Sequence, residues 1–125
     1  METDSPTIQV EFAPEFERQI RILYKRYRQI RSDVQIVIEQ LQSGKLLGDR
    51  LPGLNVTAFK VRAKNSDIQK GKSAGYRIIY QVETPTKIIL LTIYSRSDQS
   101  NIALEEIEQI VEAVKRQNAE NADFS

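Results

Sequence analysis

The chain has 125 residues, 40% hydrophobic and 28% charged, with a formal net charge of +1. That length fits one domain, 1–125, able to bury a core without staples. It contains no cysteine and no histidine, which excludes a disulfide framework, a thiolate nucleophile, thiolate or imidazole metal ligands and the commonest general base.

Residues 1–6 read as a loose tail without the basic-then-apolar order of a signal peptide. Ile8, Val10 and Phe12 then alternate with polar neighbours, as in a strand. Pro14 sits where a helix can begin. Phe16, Ile20, Leu23, Tyr27 and Ile30 recur at steps of four and three, which predicts one long helical face. Ser32 or Asp33 is expected to end that helix and cap a second, whose inner stripe is Val34, Val37, Ile38 and Leu41. Ser43-Gly44 closes the helical hairpin. Residues 48–53 are a loop by composition, pinned by Leu51 and Leu54.

Three strands follow. In 56–64, Phe59, Val61 and Ala63 share one face, and Lys60, Arg62 and Lys64 the other. Residues 65–73 read as a polar hairpin loop. In 75–82, Tyr76, Ile78, Tyr80 and Val82 oppose Arg77, Ile79 and Gln81. Residues 88–94 are almost wholly apolar, as in a central strand covered on both sides. Short connections make these three an antiparallel meander. Ser97 or Asp98 is expected to cap a last helix, 101–117, with Ile107, Ile110, Val111 and Val114 inside and 118–125 as a loose tail. The fold class is therefore α+β: a small, mostly antiparallel sheet with an N-terminal helical hairpin and a C-terminal helix.

The near-neutral charge hides a pattern. Residues 14–31 carry six basic side chains against two acids, and 60–77 carry six against Asp67 alone. Residues 105–125 reverse this, with six acids against two bases. A basic middle points to an anionic partner; a solvated face is the plainer alternative. The sharpest candidate site is Lys60, Arg62 and Lys64 on one strand face, joined by Arg77 if the register allows. Cations fixed on a sheet can hold a phosphodiester and stabilise charge on its oxygens. Lys70 and Lys72 would extend the contact along a nucleic-acid backbone. Tyr94 and Arg96, at the end of the last strand, are placed to stack on a base or reach a phosphate. The basic helical stretch 18–31 is a further, weaker candidate. The acids show no metal-ligand spacing, and Gly71-Lys72-Ser73 lacks the earlier glycine of a phosphate-binding loop, so no metal or cofactor is expected. The longest apolar run, 88–93, is too short to span a bilayer. The expected setting is the cytoplasm, without membrane contact.

Leu51-Pro52-Gly53, Phe59-Lys60-Val61-Arg62, Gly75-Tyr76-Arg77-Ile78-Ile79-Tyr80 and an apolar strand ending in Ile93-Tyr94 resemble, in order and spacing, the RelE/ParE superfamily of bacterial type II toxins. Residues 70–77 are similar to the Gly/Lys-rich loop of HigB-like members. The resemblance covers 7–114. It implies a toxin restrained by a cognate antitoxin and, if RelE-like, a metal-independent endoribonuclease cutting mRNA on the ribosome by attack of the substrate's 2′-hydroxyl. By position it implies roles for Lys60 and Arg62 at the 2′-hydroxyl or phosphate, Arg77 at the transition-state charge, and Arg96 or Tyr94 at the leaving oxygen. Asn101 to Val114 holds no tyrosine to match the C-terminal one of some relatives. A ParE-like DNA gyrase inhibitor and an inactive antitoxin-binding module are the alternatives.

Overall fold

The computed structural model describes residues 7–68 and 75–122. The elements run β1 (Gln9–Phe12), α1 (Pro14–Tyr24), α2 (Ile30–Gln42), β2 (Asp49–Arg50), β3 (Ala58–Ala63), β4 (Tyr76–Thr84), β5 (Lys87–Ser95) and α3 (Leu104–Ala122). They form the expected α+β layers. The five strands lie in the order β1-β5-β4-β3-β2. β3, β4 and β5 are the antiparallel meander, β2 adds two residues to β3, and β1 runs parallel to β5.

Two apolar layers follow from period-two alternation. Val61, Ala63, Tyr76, Ile78, Tyr80, Ile88, Leu90 and Ile93 face α1 and α2, where they meet Phe16, Ile20, Leu23, Ile30, Val34, Val37, Ile38 and Leu41. Ile79, Ile89 and Leu91 face Ile107, Ile110, Val111 and Val114 of α3, with Leu51 and Leu54 packed alongside. Burial of both faces accounts for the continuous apolar run in β5.

Several boundaries depart from the sequence expectation. The first helix stops at Tyr24, and Ile30 opens α2. The break is tightened by Arg26 N–H donating to the Leu23 carbonyl (3.0 Å) and is held from outside. The Asp67 carboxylate accepts from the Gln29 N–H (2.9 Å) at the start of α2, where negative charge suits the helix dipole. Asp33 therefore caps nothing. It is buried within α2 and accepts from the Ser66 N–H (2.8 Å) and from the Ser66 hydroxyl. Asp98 is likewise no cap: it pairs with Arg26, while α3 begins at Leu104. α3 runs on to Ala122, into the expected tail, although its burial ends at Val114.

β4 and β5 carry one irregularity that matters for the site. Ile79 pairs with Thr92 but Tyr80 pairs with Leu90, so Leu91 is an extra residue in β5. This bulge reverses the alternation beyond it. Without it Tyr94 would share the face of Ile88 and Leu90; with it Tyr94 stands opposite Arg77, on the α3 face.

Gly75 closes the same end of the sheet. A Cβ there would lie 2.3 Å from the Ala63 carbonyl oxygen, and its own carbonyl accepts from the Arg96 N–H (2.9 Å). Gly75→Ala is expected to force β3 away from β4 and cost about 1–3 kcal/mol, the usual scale of overpacking. Urea denaturation measures it, and an unchanged midpoint would refute the close approach.

Candidate functional site: a cationic cleft at the end of the sheet

Antiparallel pairing places Arg62 directly opposite Arg77, and Arg77 opposite Tyr94. These three form one row across β3, β4 and β5, on the same face of the sheet as Ile79 and α3. Lys60 lies one row further along, opposite Ile79 on one side and Asp49 on the other. Arg96 follows β5 and is fixed beside Gly75 by its backbone hydrogen bond. Lys60, Arg62, Arg77 and Arg96 line one open cleft of about 590 Å³, with Gln40, Leu47, Gly48, Asp49 and Ser100 completing its walls.

Directly opposed like charges destabilise a strand pair. Arg77 is only 6% exposed, so its charge is also partly stripped of water. Burial comes first, and then the Arg62 and Arg96 guanidiniums, in drawing its pKa below the usual arginine value. Among the described residues, the one hydrogen bond of its guanidinium goes to the Tyr76 carbonyl, at 3.2 Å. Among the described residues none of the four cations forms an ion pair. Lys60 faces Asp49 across the ladder, yet its Nζ donates instead to Asn101 Oδ1 (3.2 Å). Concentrated positive charge without a carboxylate partner is the electrostatic form of an anion site.

Tyr94 stands behind the arginines. It is 5% exposed, and its hydroxyl has no hydrogen-bond partner among the described residues. Burial raises its pKa above the usual phenol value, against the opposing pull of Arg77 and Arg96. The group is therefore a protonated phenol at neutral pH, able to donate.

Of the residues singled out from sequence, Lys60, Arg62, Arg77 and Arg96 come together in the cleft, and Tyr94 lies opposite Arg77 in the sheet without lining it. Lys64 is exposed one residue beyond β3 and does not line the cleft. Lys70 and Lys72 lie outside the described residues. The far wall was not foreseen. Gly48 has φ +85°, and a Cβ there would sit 2.2 Å from the Lys60 carbonyl oxygen. The Tyr80 hydroxyl donates to the Leu47 carbonyl and ties this wall to the core. Gly48-Asp49 was legible only as a loop; nothing local announced that it docks on β3. Among the described residues no group of three or more acids is placed to hold a metal ion, and no helix is long and apolar enough to cross a membrane.

Comparison with known proteins bears on this geometry. A protein-family model described as the ParE toxin of the type II toxin–antitoxin system parDE matches residues 10–100, which include β3, β4, β5 and the whole row of arginines. No curated protein matches. Among solved structures, the chain is similar to TrmO from Pseudomonas aeruginosa, with 22% identity and a TM-score of 0.44. That likeness covers 72% of this chain and 36% of the other. The family match spans most of the sheet and both helices of the hairpin, and on it the chain belongs to the ParE toxin family, within the RelE/ParE superfamily of type II toxins that are paired with a cognate antitoxin.

Proposed function

We propose that this toxin is a metal-independent endoribonuclease that cuts mRNA on the ribosome. One observation carries the reading: Lys60, Arg62, Arg77 and Arg96 converge on a single cleft whose one acid is Asp49, and among the described residues none of the four forms an ion pair. A phosphodiester is an anion of the right size to span them, and its cleavage adds negative charge that preorganised cations stabilise. The substrate supplies its own nucleophile. Its 2′-oxygen attacks the adjacent phosphorus, the bond from phosphorus to the 5′-oxygen breaks, and the products are a 2′,3′-cyclic phosphate and a 5′-hydroxyl.

Arg62 holds a non-bridging oxygen as a fixed positive charge, and Lys60 holds another or helps to draw off the 2′ proton. Arg77, in the middle of the row, meets the charge that develops on phosphorus. A guanidinium stays charged and shuttles protons poorly, so Arg96 acts as an electrostatic group. Tyr94, the neutral phenol opposite Arg77, is the group assigned to donate a proton to the leaving 5′-oxygen.

Arg77→Ala is expected to lower cleavage about 10²–10³-fold, the scale of removing one preorganised transition-state donor. Primer extension on translated mRNA reads the cleavage, and growth after induction reads toxicity. Full toxicity in a folded Arg77→Ala protein would sink the nuclease reading and favour a binding module of the same fold.

Inhibition of DNA gyrase is the second reading, because one fold can host both actions. Rescue of growth by a resistant gyrase would support it. Arrest of translation within minutes of induction excludes it as the main action.

Arg62→Gln separates stability from activity. Removing one of two opposed charges is expected to stabilise the sheet by about 0.2–1 kcal/mol while lowering cleavage. A raised urea midpoint together with weakened cleavage is the predicted pair of results; a lowered midpoint would show that Arg62 is held by favourable contacts instead.

A further inference from the structure

The cleft does not use the second basic stretch, at the turn between α1 and α2. Arg18 is paired with Glu15, and Arg26 with Asp98. Arg21, Lys25, Arg28 and Arg31 are exposed and form no ion pair among the described residues. On α1, Glu17, one turn before Arg21, forms no ion pair among the described residues; at the other end of the turn Asp33 accepts from Ser66 and Asp67 from the Gln29 N–H.

These cations are organised. The guanidinium carbons of Arg28 and Arg31 lie 4.7 and 5.2 Å from the centre of the Tyr24 ring, and that of Arg26 lies 4.9 Å from the centre of Tyr27. Stacking on a ring fixes the plane of a guanidinium and leaves its N–H edge free for bidentate contact with a phosphate. Side chains already held in place lose less rotamer freedom on binding. Both rings of the turn are faced by guanidiniums, which leaves little aromatic surface there for an amphipathic peptide.

The position of the turn is equally defined. Arg26 reaches Asp98 in the segment after Arg96, and Gln29 reaches Asp67 in the segment after β3. The turn thus sits at the same end of the sheet as the cleft. It belongs to the α1–α2 layer, however, while Arg62 and Arg77 project from the opposite face. The cleft and the turn thus present cations on two sides of the same end of the sheet.

We infer that the α1–α2 turn is a second RNA-binding surface, which holds phosphates of folded RNA while the cleft holds the strand to be cut. The inference builds on the RNA reading of the cleft, yet its contacts are independent of the cleft residues. In this arrangement the toxin straddles the end of its own sheet between two RNA segments, which is how a small protein gains a dependence on a large ribonucleoprotein.

The test uses the full chain carrying Arg21→Gln, Lys25→Gln, Arg28→Gln and Arg31→Gln, with two probes: purified ribosomes, and a short single-stranded RNA made uncleavable by a 2′-deoxy sugar. The variant is expected to lose about ten-fold or more in ribosome affinity. The slope of log affinity against log salt should fall by about 3–4, near 0.9 for each phosphate contact removed. Affinity for the short RNA should stay at the wild-type value. A variant with Lys in place of Arg21, Arg28 and Arg31 should recover the salt slope, which excludes misfolding as the cause. Unchanged ribosome binding by the glutamine variant overturns the inference, as does a loss confined to binding of the antitoxin or an acidic peptide. Wild-type protein that binds ribosomes through this turn but cuts no mRNA leaves the inference standing and overturns the nuclease reading instead.

Discussion

The pairing of β4 with β5 is the constraint on which the rest depends. Both strands are covered on both faces, so each residue is committed to one layer or the other. The extra residue, Leu91, stays buried against α3, and the strand beyond it changes phase. That change keeps Ile93 in the helical-hairpin core and turns Tyr94 to Arg77. A straight β5 would face Arg77 with a different side chain and would push Tyr94 into the layer already filled by Tyr76 and Tyr80. The bulge thus joins a packing requirement to the composition of the cleft.

The row of Arg62, Arg77 and Tyr94 runs against the preference of an isolated sheet. Opposed guanidiniums repel, and a phenol hydroxyl with no partner carries a desolvation penalty. The surrounding scaffold holds them in place by ordinary means. Gly75 lets β3 and β4 close at the end of the sheet. Asp33 and Asp67 fasten the segment after β3 to α2, and Asp98 fastens the segment after β5 to the helical hairpin. Each carboxylate acts at a distance from its own element. Together they hold the ends of the strands that carry the cations, so a locally unfavourable arrangement persists in a stable fold.

Alternation and helical periodicity made the layers legible from sequence. Phe59, Val61 and Ala63 against Lys60 and Arg62, and Ile107, Ile110, Val111 and Val114 on α3, fall where their spacing puts them. Long-range contacts were not legible. The break at Tyr24 is invisible in a stripe that runs unbroken from Phe16 to Ile30, because the group that caps α2 is Asp67, on a different loop. Asp33 carries the local signature of a cap but spends its acceptors on Ser66. For the site, the partnership of Lys60, Arg62 and Arg77 follows from strand parity once the register is known. Tyr94 does not, since a bulge leaves no mark in an all-apolar strand. Gly48 and Asp49 look like any surface loop until β3 is placed beside them.

Net charge alone would argue against an anionic partner, and the fold explains why it misleads. The acids of the last quarter lie on α3: Glu105, Glu106, Glu108 and Glu112 are all exposed, away from the cleft lining and from the α1–α2 turn. Fields from exposed charges are screened over about 10 Å in ordinary salt, so a partner at the end of the sheet meets the local cations and not the sum over the chain. The opposite signs are separated in space because they are separated in sequence: the basic residues fall on the hairpin and the first strands, and the acids on the terminal helix. A near-neutral total is thus compatible with two strongly cationic surfaces. It also keeps the rest of the molecule from attracting polyanions indiscriminately.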